Sequence, residues 1–351
     1  MKKRILGRTG WALSVIGFGG IKLPQIDQKE CDVLLNRAIG LGINFVDTAD
    51  CYGDSEEKIG RALGKRRKHF YLSTKIDERD AKGVSKKLER SLRRLRTDWV
   101  DLIFFHDVRE SEYEKIFQRG GLEALLEAKK EGKIREIGIS IHHSLSVMRK
   151  AIESGFFSVL MVAYSPIDED RLTAELIPVA SKEGVGVIAM KPLAGGKLAE
   201  QNGWNEKSFN GEAPARVCLR YVLSNLHVTC AIPGMTNVEE LEENVKVGQN
   251  PVSLTHGEIL ALMDWLGTVG KGFCRNCGYC LPCPEGIPIP DIFRFESYYD
   301  RYGLKDWAID QYRILAINPG ACTSCEKCLS RCPYGVPIPD RLKEAHKKLT
   351  A

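Results

Sequence analysis

What constrains this chain most is a texture that repeats eight times between about residue 15 and residue 250. Short runs of β-branched and aromatic residues fall at 15–18, 44–47, 70–74, 100–105, 136–140, 159–163, 186–190 and 228–232. Each is apolar with little alternation, as strands of a parallel sheet buried on both faces must be. Helical spacing fills the gaps. Val84, Leu88, Leu92 and Leu95 form one apolar stripe, with Lys86, Lys87, Arg90, Arg93 and Arg94 opposite. Leu122, Leu125 and Leu126 form another, which Gly132 ends. Asp27 and Ser144 stand where N-caps belong. Eight such strand–helix units predict an α/β fold, a (β/α)8 TIM barrel. An open doubly wound sheet would instead carry Gly-x-Gly-x-x-Gly after its first strand, and GFGG at 17–20 lacks that spacing.

The chain has 351 residues, more than one barrel needs, and its last quarter has a different character. Eight of its 12 cysteines fall in two arrays there. Cys274, Cys277, Cys280 and Cys283 stand three apart, with proline after the last. Cys322, Cys325, Cys328 and Cys332 follow nearly the same rule, again backed by proline. GIPIP at 286–290 and GVPIP at 335–339 make the two arrays a short internal repeat. Zinc sites generally use two cysteine pairs set well apart rather than four thiols in one run. The observed run is that of bacterial iron–sulfur proteins, so the module is expected to hold two [4Fe–4S] clusters. In two-cluster ferredoxins the fourth cysteine of each run serves the other cluster. That rule puts Cys274, Cys277, Cys280 and Cys332 on one cluster, and Cys322, Cys325, Cys328 and Cys283 on the second. The first array has two residues before its last cysteine where the second has three, so the uncrossed pairing stays open. A helix is expected over 255–270 and helical structure over 292–315. The division read from the sequence is a barrel over 1–265 and a smaller, mainly helical ferredoxin-like module over 266–351.

A net charge of +5 points to no nucleic-acid partner, and the basic runs at 65–68 and 93–96 read as solvated helix faces. No apolar stretch approaches the roughly 20 residues of a membrane span, and no signal core follows the N-terminus, so no membrane association is expected. Clustered thiols in metal-ligand spacing suit a reducing cytoplasm. Cys31, Cys51, Cys218 and Cys230 read as plain buried or half-buried thiols.

In a barrel of this kind the chemistry sits where strands end. Reading the strand ends in order gives Asp47 with Tyr52 five residues on, then Lys75, then His106, then Ser140 followed by His142 and His143. Each alone has a plain explanation as a cap, a surface lysine or a packed ring. Together they have a chemical one. A buried ammonium beside a phenol favours the phenolate. A carboxylate keeps that ammonium charged in a dry site. A histidine can orient a carbonyl. The set is a proton donor for an oxygen that gains negative charge, which carbonyl reduction requires.

With these residues in view, the chain resembles the aldo-keto reductase family over residues 1 to about 250. The resemblance rests on GRTG at 7–10, the run from Asp47 to Gly60, STK at 73–75, DLIFFH at 101–106 and IPGM at 232–235. It implies a barrel that binds NADP or NAD at its C-terminal mouth and acts on a small-molecule carbonyl. It implies that Tyr52 is the general acid, that Lys75 and Asp47 tune it, and that His106 orients the carbonyl. Ser140 matches the serine that holds the nicotinamide carboxamide. Ile141 and Met161 stand where the family usually has Asn and Gln, and Met190 where a ring stacks on the nicotinamide. The run 234–244 matches the adenosine loop and helix. Gly234 begins its loop, Thr236 and Asn237 open the helix so that its N-terminus can meet a phosphate, and Glu243 with Asn244 matches the adenine-contacting pair. Glu240 stands where an Arg often meets the 2′-phosphate, which should make NADH at least competitive with NADPH. The appended cysteine module resembles a ferredoxin-fused branch of the family.

Nicotinamide gives two electrons at once, and iron–sulfur clusters take one. A flavin could split the pair, yet no flavin motif is evident. Three readings follow. The barrel reduces a carbonyl while the clusters are structural or sensory. A flavin or substrate radical links both halves, and the clusters serve a redox partner protein. Or the chain is a nicotinamide-sensing or electron-carrier subunit with little carbonyl turnover.

Overall fold

The computed structural model describes residues 1–142, 144–168, 175–269 and 271–350. It opens with an antiparallel hairpin, β1 (Lys3–Ile5) and β2 (Ala12–Ser14), which the sequence pattern did not reveal. Eight parallel strands follow: β3 (Phe18–Gly19), β4 (Phe45–Asp47), β5 (Tyr71–Ile76), β6 (Val100–Phe105), β7 (Ile134–Ile141), β8 (Val159–Ala163), β9 (Gly186–Met190) and β10 (Cys230–Ile232). Each pairs with the next in sequence. Isolated parallel bridges Ile16–Ala231 and Gly19–Gly234 join the first strand to the last, so the sheet is a nearly closed (β/α)8 barrel. The first strand is shorter than its apolar run predicts and starts later. Its preceding residues bond singly to the last strand instead, with Gly17 N–H donating to Ala231 O at 2.9 Å and Ala231 N–H to Val15 O at 2.9 Å.

The outer ring comprises α1 (Gln28–Gly40), α2 (Ser55–Leu63), α3 (Ala81–Leu95), α4 (Glu110–Gln118), α5 (Gly121–Lys130), α6 (Leu145–Glu153), α7 (Ile177–Lys182), α8 (Pro214–Ser224) and α9 (Val238–Gln249). Asp27 caps α1 through a capping box with Glu30, and Ser144 caps α6, as their positions predict. The α3 stripe of Val84, Leu88, Leu92 and Leu95 is buried. On α5, Leu122 and Leu125 are buried but Leu126 faces solvent, because it lies on the helix's outer side.

Strand pleat sorts the side chains into two layers. Leu72, Ile76, Ile103, Phe105, Ile139, Ile141, Leu160 and Val162 point outward into the core beneath the helices. Phe45, Leu102, Phe104, Val159, Met161, Ala163, Ile188, Met190, Cys230 and Ile232 fill the barrel interior, with Leu6 and Leu13 of the hairpin closing its base. Gly138 is glycine for a packing reason: a Cβ there would stand 2.5 Å from the Phe104 ring.

The chain divides into two compact units, Met1–Gln201 with Glu206–His256, and Asn202–Asn205 with Gly257–Ala351. In the second, α10 (His256–Val269) anchors the 202–205 segment. Trp265 Nε1 donates to Asn202 O at 2.9 Å, and the Trp204 and Trp265 rings meet edge-on with centroids 4.7 Å apart. The helical stretch expected over 292–315 is two helices, α11 (Ile289–Arg301) and α12 (Lys305–Arg313), broken where Gly303 takes φ +67°. The unit ends with α13 (Lys327–Arg331) and α14 (Ile338–Leu349). The repeated proline tails have a structural reason: each opens a helix, α11 and α14, with proline in its first turn. Both helices bury one face, and Glu296 of α11 binds Arg341 and Lys348 of α14. Among the described residues, no helix is long and apolar enough to cross a membrane.

Candidate active site and cluster module

Alternation along three neighbouring strands delivers the polar constellation. Phe45 points inward on β4, so Asp47 does too. Ser73 and Lys75 share the inner face of β5, and His106 follows Leu102 and Phe104 just past the end of β6. The result is a dense buried network. Lys75 Nζ donates to Asp47 Oδ2 at 2.5 Å and to Thr48 O at 2.7 Å. Ser73 Oγ donates to Asp47 Oδ1 at 2.7 Å. Lys75 is only 1% exposed and Asp47 2%, so neither charge could persist without the other. Burial pushes the Asp47 carboxyl upward, against the opposing pull of the Lys75 ammonium and the Ser73 hydroxyl.

Tyr52 lies at the turn before α2 and is buried. Lys75 Nζ stands 4.9 Å from its ring centroid. The His106 ring meets the Tyr52 ring edge-on, with centroids 5.8 Å apart and planes at 78°. The structure thus brings all four sequence-selected residues to one buried cluster. His106 is fixed through its backbone as well, since its N–H donates to Ile76 O at 2.8 Å and Arg79 Nη2 donates to its carbonyl at 2.7 Å. Two contacts escaped the sequence reading. Ser73 is placed by its two-residue offset from Lys75, a signal that was available. Cys51 Sγ lies 3.4 Å from His106 Nδ1, which no local pattern announces.

The candidate cofactor residues lie on β7, β8 and β9, in the loop before α9 and on α9 itself. Ser140 is buried on β7, its hydroxyl 4.0 Å from Met190 Sδ. Met161 and Met190 belong to the barrel interior. Ile141 turns outward by the pleat and packs beneath the helices. His142 Nδ1 lies 3.0 Å from Asp107 Oδ1, and His143 lies outside the described residues. Asn237 caps α9 by accepting from Glu240 N–H at 2.8 Å. The Glu240 carboxylate folds back to accept from Thr236 N–H at 2.9 Å and from its hydroxyl at 3.3 Å. Gly234 packs on the stem of Lys22, Glu243 is exposed and Asn244 is buried.

A family model described as "Aldo/keto reductase family" matches residues 15–259. The chain belongs to the aldo/keto reductase family. A second model, "4Fe-4S dicluster domain", matches residues 273–336. The chain is 31% identical over 305 residues to the Bacillus subtilis (strain 168) oxidoreductase YqkF, covering 75% of this chain and 96% of that one. It is 30% identical over 277 residues to L-galactose dehydrogenase of Arabidopsis thaliana, covering 69% and 86%. Among solved structures, the holo form of aldo-keto reductase AKR11C1 from Bacillus halodurans superposes with a TM-score of 0.64 at 27% identity, covering 75% of this chain and 96% of that one. This aldo-keto reductase is therefore an oxidoreductase that carries an iron–sulfur domain.

In that domain, Cys283, Cys322, Cys325 and Cys328 line one pocket together with the apolar Ile287, Ile289, Pro339 and Leu342. Cys328 feels the charge of Cys322, Cys325 and Cys283. Cys274 feels Cys277 and Cys332, and Cys280 feels Cys274 and Cys277. Burial first, then this mutual crowding, pushes Cys274 up to about 11 and Cys280 up to about 12. A soft, multi-centre thiolate-bound group fits such a set, since its positive irons offset the charge that crowding disfavours. Among the described residues, no three candidate ligands converge on a single ion position.

Proposed function

We propose that this aldo-keto reductase uses NAD(P)H to reduce an aldehyde or ketone to an alcohol, or runs the reverse reaction. The observation that carries the reading is the buried Lys75–Asp47 pair set against the Tyr52 ring, with the His106 ring edge-on to it. When bound, reduced nicotinamide supplies a hydride to the carbonyl carbon. Tyr52 gives its phenol proton to the oxygen. Lys75 stabilises the phenolate left behind, and Asp47 with the Thr48 carbonyl holds the ammonium in place. His106 positions the carbonyl oxygen by a ring N–H. Ser140 holds the carboxamide, and Met161 and Met190 give the pocket an apolar floor. The catalytic module comprises residues 1–265 and the cluster module residues 266–351.

NADH is at least competitive with NADPH. Glu240 already occupies the Thr236 N–H at the opening of α9, and its carboxylate repels a 2′-phosphate arriving there. Gly234, Asn237, Glu243 and Asn244 complete the adenosine end. Separate titrations with NADH and NADPH test this, and an affinity for NADPH about a hundredfold above NADH overturns it.

Two [4Fe–4S] clusters are held in the crossed arrangement, with Cys332 completing the first set and Cys283 the second. The pocket that Cys283 shares with Cys322, Cys325 and Cys328 supports that pairing over the uncrossed one. The experiment that tests the whole reading is anaerobic addition of NADH to the purified holoprotein, with and without a carbonyl. NADH consumed only with carbonyl, and no bleaching of the cluster band, supports it. Bleaching without carbonyl shifts the assignment to one-electron delivery through a flavin to a redox partner. No oxidation at all supports the nicotinamide-sensing alternative.

A further inference from the structure

One polar group beside Tyr52 and His106 has no role in the mechanism above. Cys51 is adjacent to Tyr52 in sequence, and its sulfur lies 3.4 Å from His106 Nδ1, within range of a thiol hydrogen bond. A neutral imidazole carries one proton on one of two nitrogens, and the bond made at one fixes the state of the other. We propose that Cys51 is a positioning residue that sets the His106 tautomer: its S–H donates to Nδ1 and keeps the ring proton on Nε2.

Three observations carry this assignment. First, the thiol keeps a proton that it can donate. Burial pushes Cys51 far up, with Asp77 and Asp50 adding to the shift, so it stays S–H rather than thiolate. Second, the His106 backbone is held by Ile76 and Arg79, so the Cys51 contact governs the ring and not the chain path. Third, a ring that orients a carbonyl must offer an N–H to its oxygen. With Nδ1 accepting from sulfur, Nε2 is the nitrogen that can. Cys51 itself is anchored from both sides. Arg90 binds Asp50 through Nε at 2.7 Å and Nη2 at 2.5 Å, and Tyr52 N–H donates to Ala49 O at 3.0 Å.

The kinetic consequence rests on the carbonyl-reduction reading, whereas the tautomer itself does not. The test is therefore read first by ¹⁵N NMR of the histidine rings in the full-length holoprotein. Wild type should show His106 as neutral with its proton on Nε2. Cys51→Ala should give a mixture of tautomers and lower kcat about three- to tenfold, with NADH affinity unchanged, as expected for one lost neutral hydrogen bond. Cys51→Ser should restore both, because its hydroxyl donates to the same nitrogen. Should Cys51→Ala fail to fold, the wild-type spectrum and Cys51→Ser still decide. A wild-type ring protonated on Nδ1, or a tautomer unmoved in Cys51→Ala, overturns the proposal. A tautomer that moves in a protein with no carbonyl turnover leaves the Cys51 assignment standing and removes the reductase reading.

Discussion

Tyr52 is one side chain among eleven tyrosines, yet its surroundings separate it from the rest. Replacing it with phenylalanine keeps the packing and removes the proton. Tyr52→Phe should nearly abolish carbonyl reduction while NADH binding, read by fluorescence titration, stays as in wild type. Asp101 is a structural counterpart. It is buried, takes Arg67 Nη2 at 2.7 Å, Arg135 Nη1 at 3.1 Å and Leu72 N–H at 2.8 Å. Asp101→Ala strands the buried Arg67 and should lower stability by about 3–5 kcal/mol in urea unfolding. Glu56 gives a prediction in pH. It is fully buried, and burial raises its carboxyl above the usual range despite the Thr74 hydroxyl that donates to it at 2.7 Å. The folded state then binds this proton more tightly than the unfolded state, so this group's contribution to stability falls as pH rises above the ordinary carboxylate range. Glu56→Gln removes that slope. Its stability relative to wild type should grow as pH climbs from about 4 to 7 in parallel urea melts, and a constant difference would contradict the shift.

At the scale of elements, the sequence showed most where one physical signal dominates. Buried parallel strands need uninterrupted apolar runs, so β4 to β10 stood where those runs predicted. The period-two pleat then placed Asp47, Lys75 and His106 on one face without further information. The hairpin β1–β2 was not legible, because its three-residue strands are too short for a pattern. The break between α11 and α12 was missed because the apolar and aromatic stripe continues through Gly303. The Cys51–His106 contact joins residues 55 apart and belongs to tertiary structure alone. Gly138 tests how tightly the inner layer is packed. A methyl group there meets both the Phe104 ring and, at 2.9 Å, the backbone oxygen of Val159. Gly138→Ala should destabilise by about 1–3 kcal/mol in thermal or urea unfolding.

At the scale of the whole molecule, two units of different chemistry share one chain. In the cysteine unit burial and crowding keep Cys274 and Cys280 protonated, and binding iron displaces such protons, so metal binding there is linked to pH. Cys277→Ser should lower the iron content of the purified protein, and unchanged iron would remove Cys277 from the ligand set. The barrel has its own division of labour. Asp47, Tyr52, Lys75 and His106 all come from residues 47–106, three consecutive strand ends. The loop that follows β9 rises from the opposite arc of the same rim. Grafting that loop from a relative should therefore change which molecules are accepted while leaving the proposed acid–base residues untouched. A family built this way can diversify its diet without reinventing its chemistry.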